Sequence, residues 1–183
     1  MKKIYTKIVG HYEDCLEKHG DTHLGVDWPK LEDVATRYRI MLDIIRLKED
    51  KEASLLDFGC GTAHLLEYIN KNGIKGIDYS GLDISQKFVD VAAAKFPDNS
   101  FYCNDFFDSY SKMDNFDYIV MNGVFTEKRE FSFEEMWEYF TKLIPLVFEK
   151  CNKGFAFNVM SKNVDWERDD LFHVSMDSIS GFL

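Results

Sequence analysis

Leu55-Leu56-Asp57-Phe58-Gly59-Cys60-Gly61-Thr62-Ala63 decides the reading of this 183-residue chain. Two apolar residues end a buried strand, an acid follows, two glycines stand two apart, and an apolar helix pattern (Leu65, Leu66, Ile69) begins. Glycines placed this way let the main chain turn sharply and let a ligand lie against bare backbone. The N-terminus of the following helix offers unpaired N–H groups and a partial positive charge. The stretch implies a nucleotide-binding loop between a strand and a helix.

The pattern on the C-terminal side of this loop alternates strands with helices. The spacing predicts a strand over 54–58, a helix over 62–72 with Gly73 at its C-cap, and a strand ending at Gly81-Leu82-Asp83-Ile84. A helix over 85–96 is capped by Ser85 and stopped by Pro97. Strands follow at 100–103, 116–122 and 154–160. Ser132-Phe133-Glu134-Glu135 is a capping box that opens a long helix. Before the loop lie two helices. One covers 4–18, with Tyr5, Ile8, Val9 and Tyr12 at helical spacing. The other is capped by Asp27, carries Pro29 in its first turn, and shows an apolar stripe from Leu31 to Ile45. Lys48 to Glu52 reads as a solvated charge run.

Repeated strand–helix units predict an α/β, Rossmann-like, doubly wound and mostly parallel sheet of about five strands, with helices on both faces. We expect one domain over 1–183: an N-terminal helical cap at 1–48, a binding core at 53–160 and a C-terminal segment at 161–183. Ligands in such sheets bind at the carboxyl ends of the strands. Those ends hold Asp57, Asp83, Asn104-Asp105, Asn122 and Asn158.

Asp83 lies 22 residues after Gly61, where a carboxylate can accept both hydroxyls of a ribose. A dinucleotide loop needs a third glycine, and that position is the bulky His64. Asp57 beside the loop also disfavours a pyrophosphate and favours a nucleoside that carries positive charge.

Composition narrows the class further. The chain is 45% hydrophobic and 15% aromatic, which suits a folded globule, and its net charge of −10 opposes nucleic acid backbones and anionic lipid. No apolar run approaches the roughly 20 residues of a membrane span, and no signal peptide is visible. Four widely spaced cysteines, Cys15, Cys60, Cys103 and Cys151, without a CxxC pair suggest a reduced, cytoplasmic protein and no metal site.

With these motifs in order, residues 50 to 170 resemble the class I S-adenosylmethionine-dependent methyltransferases. Residues 55–63 look like the first motif of that family, with Ala63 where a third glycine is often found. Gly81-Leu82-Asp83-Ile84-Ser85 looks like the ribose motif, Asn104-Asp105-Phe106 the adenine-contacting segment, and Asn122-Gly123-Val124-Phe125 the pocket segment after the fourth strand. The resemblance implies that Gly59 and Gly61 pack under the methionine part of the cofactor, with the Cys60 main chain nearby, and that Asp83 holds the ribose. Asp105 accepts from the adenine amine, the Phe106 N–H meets a ring nitrogen, and Ile84 and Phe106 sandwich the ring. The carboxylate of the cofactor needs a cationic partner, for which Arg37 and Arg39 are candidates, and Tyr12 can close over the site.

Methyl transfer from a sulfonium is an in-line displacement, helped by orientation and by a water-poor aromatic pocket such as Tyr12, Phe106 and Phe125 can build. An oxygen acceptor also needs a base, and His173, Glu127, Asp165 and His11 are open candidates. The place after the fourth strand lacks the Pro-Pro pair common in enzymes that methylate nucleobase amines. With the acidic charge, this favours a small-molecule acceptor. A binding module without catalysis, and an NAD(P)-dependent oxidoreductase, stay open as alternatives. The family sheet usually ends in two further strands, the last antiparallel. Residues 161–183 read instead as a loop and a helix start, so those strands are expected to be missing. The sheet would then keep an exposed edge suited to homodimer formation.

Overall fold

The computed structural model describes residues 5–47 and 51–183, so the first three residues of the expected charge run, 48–50, lie outside the described residues. Six strands form one sheet in the order β3-β2-β1-β4-β5-β6: β1 is Ala53–Phe58, β2 Ile77–Asp83, β3 Ser100–Cys103, β4 Phe116–Phe125, β5 Cys151–Ser161 and β6 His173–Val174. All paired neighbours run parallel. The expected sheet is therefore present with one strand more, the two-residue β6. Among the described residues no antiparallel strand follows it. The outer edge of β5 is paired only at Met160 and Ser161.

Two layers of helices cover the sheet. Leu56, Phe58, Ile119 and Met121 pack in one cluster with residues of α1 (Tyr5–His19) and α6 (Phe133–Glu149). Leu55, Tyr79, Tyr118 and Val120 pack in a second cluster with residues of α2 (Leu31–Leu42), α3 (His64–Lys71) and α4 (Gln86–Lys95). This is the alternation that a strand buried on both faces requires. The capping box holds: Ser132 Oγ accepts the Glu135 N–H at 3.1 Å, and Glu135 Oε2 accepts the Ser132 N–H at 2.9 Å.

Four local expectations change. Asp27 does not cap α2, which begins at Leu31 after Lys30. Asp27 instead sits at φ 55 and meets His11 Nε2 at 2.7 Å. Ser85 stands at the N-cap of α4 but makes no side-chain cap bond; its hydroxyl donates to Glu13 Oε1 on α1 at 2.6 Å. The loop helix starts at His64, and Ala63 before it takes φ 64. A glycine is at ease in that left-handed geometry, whereas an alanine costs about 1–2 kcal/mol. Finally, β4 runs on past Asn122 to Phe125 through a register shift between Met121 and Phe125, with Gly123 at φ 93.

Candidate active site

β1 lies between β2 and β4, so chain direction through the sheet reverses at its carboxyl end and a cleft opens there. A cavity with about 1200 Å³ of empty space, its open mouth included, fills this cleft beneath α1.

The floor is the glycine turn. Gly59 and Gly61 have φ of 76 and 54, and the Gly59 and Cys60 N–H groups both donate to Leu82 O, at 2.8 and 3.0 Å. A Cβ on Gly59 would stand 2.8 Å from Val124 Cγ2, and one on Gly61 would stand 3.4 Å from Val26 Cγ1. The close approach disfavours a Cβ at Gly59, and at Gly61 it is the left-handed backbone that favours glycine. The turn is pinned by Asp83: its Oδ2 accepts the Gly61 N–H at 2.9 Å and its Oδ1 accepts the Ser85 N–H at 2.9 Å. Each oxygen keeps a further lone pair for a ligand hydroxyl. Burial raises the Asp83 carboxyl, and these backbone bonds oppose the rise. The Gly61 N–H is thus spent inside the chain.

Asp57 is 4% exposed and accepts from the Tyr79 hydroxyl at 2.8 Å. Burial pushes its carboxyl up to about 7, against the pull of that bond. A cation beside Asp57 would restore the charged form. On the other flank Asp105 caps the short helix α5 (Phe106–Ser109), accepting the Phe107 N–H at 3.1 Å on Oδ1, while its Oδ2 accepts from Tyr5 of α1 at 2.5 Å. Phe106 is buried edge-on against Phe58. Ile84 and Asn104 complete this wall, the Asn104 N–H donating to Asp83 O at 3.1 Å.

Asp57, Gly59, Cys60, Gly61, Asp83, Ile84, Asn104, Asp105, Phe106 and Asn122 all line the one cavity. Phe125 and Arg39 do not. Phe125 is fully buried between β4 and α6, in ring contact with Tyr139, Phe140 and Phe157, because the register shift turns it into the core. Arg39 is exposed and pairs with Asp43 one helical turn on, 3.6 Å away, while Arg37 lies over the Trp28 ring.

The candidate bases separate. His11 and Glu127 stand near Tyr12, whose hydroxyl bonds the Thr126 side chain. His173 is held by Ser161 O at 2.7 Å and by the Arg168 N–H at 3.2 Å, and Asp165 is exposed. Wall residues missed from the sequence include Tyr5, Ile8, Trp28 and Tyr139. The stripe on α1 signalled the first two; Trp28 sits in a loop with no periodicity to mark it.

The methyltransferase domain family matches residues 56–144. A Mycobacterium tuberculosis protein, named putative methyltransferase Rv1506c, is 30% identical over 123 residues, covering 66% of this chain and 72% of that protein. Among solved structures, magnesium protoporphyrin IX methyltransferase from Synechocystis PCC 6803 with bound SAH superposes with a TM-score of 0.65 at 14% identity, over 97% of this chain and 86% of that one. The plantazolicin methyltransferase BpumL with SAH gives 0.60 at 16% identity, over 100% and 69%. Its complex with a pentazolic desmethylPZN analog and SAH gives 0.51 at 18%, over 82% of this chain but only 50% of that one. The chain belongs to the class I S-adenosylmethionine-dependent methyltransferase family.

Proposed function

We propose that this chain binds S-adenosylmethionine in the cavity beneath α1 and passes its methyl group to a small-molecule acceptor. The observation that carries the reading is the shared wall of the glycine turn and the Asp83 carboxylate, joined by the 2.9 Å bond from the Gly61 N–H. The residues suit the cofactor at each end. Gly59 and Gly61 leave a cradle that a Cβ would fill, Asp83 keeps lone pairs for ribose hydroxyls, and Phe106 offers an adenine face. Two structurally similar proteins carry SAH, a magnesium protoporphyrin IX methyltransferase and a plantazolicin methyltransferase with a pentazolic desmethylPZN analog, which supports an organic acceptor.

When bound, S-adenosylmethionine supplies a methyl group already activated on a sulfonium. The chain's own part is placement and exclusion. Asp57 gives a buried carboxylate that favours positive charge, and Tyr12, Phe106 and Tyr139 make an aromatic enclosure that holds water away. The α1 helix acts as a cap: Tyr5 reaches Asp105, and Glu13 reaches Ser85. All four cysteines are free, which supports a reducing, cytoplasmic setting. Among the described residues no helix is long and apolar enough to cross a membrane.

Titration calorimetry with S-adenosylhomocysteine and NADH tests the cofactor, and transfer of labelled methyl to candidate acceptors tests the reaction. We expect tight S-adenosylhomocysteine binding and acceptor-dependent label transfer. Tight NADH binding with no response to S-adenosylhomocysteine would sink the reading. Binding without transfer would leave a cofactor-binding module.

A further inference from the structure

One face of α1 and the loop before α2 bring together three side chains, none of which lines the cavity. His11 and Cys15 stand four residues apart on α1, so both point to the same side of the helix. Cys15 Sγ lies 3.8 Å from His11 Nε2. Asp27 Oδ2 meets the same nitrogen at 2.7 Å. The three ligand atoms all lie within 4.8 Å of one another. They are open to solvent: the His11 and Asp27 side chains are 22% and 36% exposed, and Cys15 is half-buried. Cysteine spacing predicts no metal site, because this trio joins a helix face to a loop and needs no CxxC pair.

Imidazole nitrogen, thiolate sulfur and carboxylate oxygen form a donor set that suits Zn²⁺ and similar ions, whereas Mg²⁺ and Ca²⁺ take oxygen. Bonds of about 2.0–2.3 Å to one ion put tetrahedral donors roughly 3.3–3.6 Å apart. The 3.8 and 2.7 Å separations bracket that range, so small side-chain shifts suffice. A second trio shows the contrast. Asp21, His64 and Glu67 are as close together, but Lys95 Nζ already serves both carboxylates, 2.7 Å from Asp21 and 2.5 Å from Glu67. Among the described residues, no lysine or arginine pairs with Asp27. Burial and then Asp27 push the Cys15 thiol up; Asp14 adds to this, and Arg129 and Lys18 oppose it more weakly. Glu127 close by is also raised, by burial, Asp27 and Asp170, against Arg129 and His11. Carboxylates thus outweigh cations here, and a bound cation reverses that balance.

We propose that His11, Cys15 and Asp27 bind a divalent transition-metal ion of the Zn²⁺ kind, with three protein ligands and one position left for water. The Cys15 S–H bond breaks as the thiolate binds, and its proton leaves to solvent. A carboxylate only accepts, so His11 Nε2 holds the hydrogen of the Asp27 bond. That hydrogen gives way to the ion, and the neutral ring keeps one on Nδ1. The ion fastens the loop to α1. Asp27 lies between Val26 and Trp28, which both line the cavity, and the His11 ring is 5.6 Å from that of Tyr12, another wall residue. The ion therefore sits just behind the cavity wall.

Co²⁺ is the probe, because a thiolate bound to it gives a charge-transfer band. The full chain, freed of metal with a chelator, is titrated with Co²⁺, then with Zn²⁺ and Mg²⁺ in competition. Co²⁺ binds with that band, yields to Zn²⁺ with a dissociation constant of about 1 μM or tighter, and resists excess Mg²⁺. Losing a ligand costs at least what losing a ligand's support costs. Cys15→Ser, Asp27→Asn and His11→Gln each weaken Zn²⁺ about tenfold or more, and Cys15→Ser also loses the band. Zn²⁺ raises the melting temperature of the parent and leaves that of Cys15→Ser unmoved. No band in the parent, a band that survives in Cys15→Ser, displacement by Mg²⁺, or unchanged Zn²⁺ affinity in Asp27→Asn each overturns the proposal. So does a melting temperature lowered by Zn²⁺, which marks binding to unfolded thiols. Circular dichroism checks folding, and if His11→Gln or Asp27→Asn does not fold, Cys15→Ser, which exchanges one atom, carries the comparison. No S-adenosylhomocysteine is present, so failure here leaves the cofactor reading standing, and failure to bind S-adenosylhomocysteine leaves this site standing.

Discussion

On the β2 side of the cavity, the polar groups around the glycine turn are paired within the chain. On the β4 side, two buried polar atoms are not. Asp83 holds the Gly61 and Ser85 N–H groups, and Asp105 holds the Phe107 N–H and the Tyr5 hydroxyl. Past β4, Asn122 Nδ2 and Glu127 Oε2 lack a hydrogen-bond partner, although Arg129 approaches Glu127 Oε2 to 3.5 Å. Burial raises the Glu127 carboxyl, as do Asp27 and Asp170. The β2 side is thus paired within the chain, whereas past β4 two buried atoms are not, one on Asn122 of the cavity wall and one on Glu127 outside it.

The comparison can be broken by showing that β4 residues serve folding alone. Phe125→Ala has the largest expected effect: about 3–5 kcal/mol of stability lost in urea titration, as for a fully buried aromatic ring. Because Phe125 stands outside the cavity, S-adenosylhomocysteine affinity of the folded variant stays unchanged. A loss of affinity with intact stability would return Phe125 to the site.

Asp57 comes next. Its folded carboxyl, near 7, lies above its ordinary value of 3.8, so the folded state binds the proton more tightly. Stability of the ligand-free protein is therefore greatest below about pH 4 as far as this group goes. It falls as pH rises through 7, by up to about 4 kcal/mol. Thermal melts of the parent and of Asp57→Asn across pH 4–8 check this: the variant lacks that component of the slope. A cationic ligand releases the proton, which calorimetry in buffers of different ionisation heat detects.

Asp83→Ala sharpens the other side. Losing both ribose acceptors weakens S-adenosylhomocysteine about tenfold or more, and an unchanged dissociation constant removes Asp83 from the site. Ser132→Ala has the smallest effect: about 1 kcal/mol lost with the capping box, with ligand affinity unchanged. This variant calibrates stability loss far from the cavity.

The half that is paired within the chain was legible in the sequence, and of the β4 half Asn122 was legible but Phe125 was not. Glycines at fixed spacing, Asp83 at the end of the second strand, and Asn104-Asp105-Phe106 are local signals, because each depends on its own strand end. Phe125 was misplaced because a strand irregularity decides which way its ring points, and no residue pattern announced that Gly123 would take φ 93. Arg39 sits two residues from Arg37, yet one faces Asp43 and the other Trp28. The rotation of α2 against the sheet settles that, and its apolar stripe did not: Leu31 of that stripe is exposed. Asp27 was read as a local cap, whereas its partner is His11, 16 residues back. Long-range side-chain partners leave no periodic trace.

The manner in which α1 is held has a consequence for amide exchange. Ile8 is the only buried residue of this 15-residue helix; beside the packing of Tyr5 on Phe107 and Tyr139 and of Tyr12 on the core, its ties are polar: Tyr5 to Asp105, Lys7 to Glu130, Glu13 to Ser85. Such stitches open one at a time at little cost, while β1 and β4 are locked by their apolar faces. Deuterium will therefore enter α1 through local openings long before it enters the sheet. A ligand that closes the cavity should slow α1 first, making the amides of this one helix a direct gauge of occupancy.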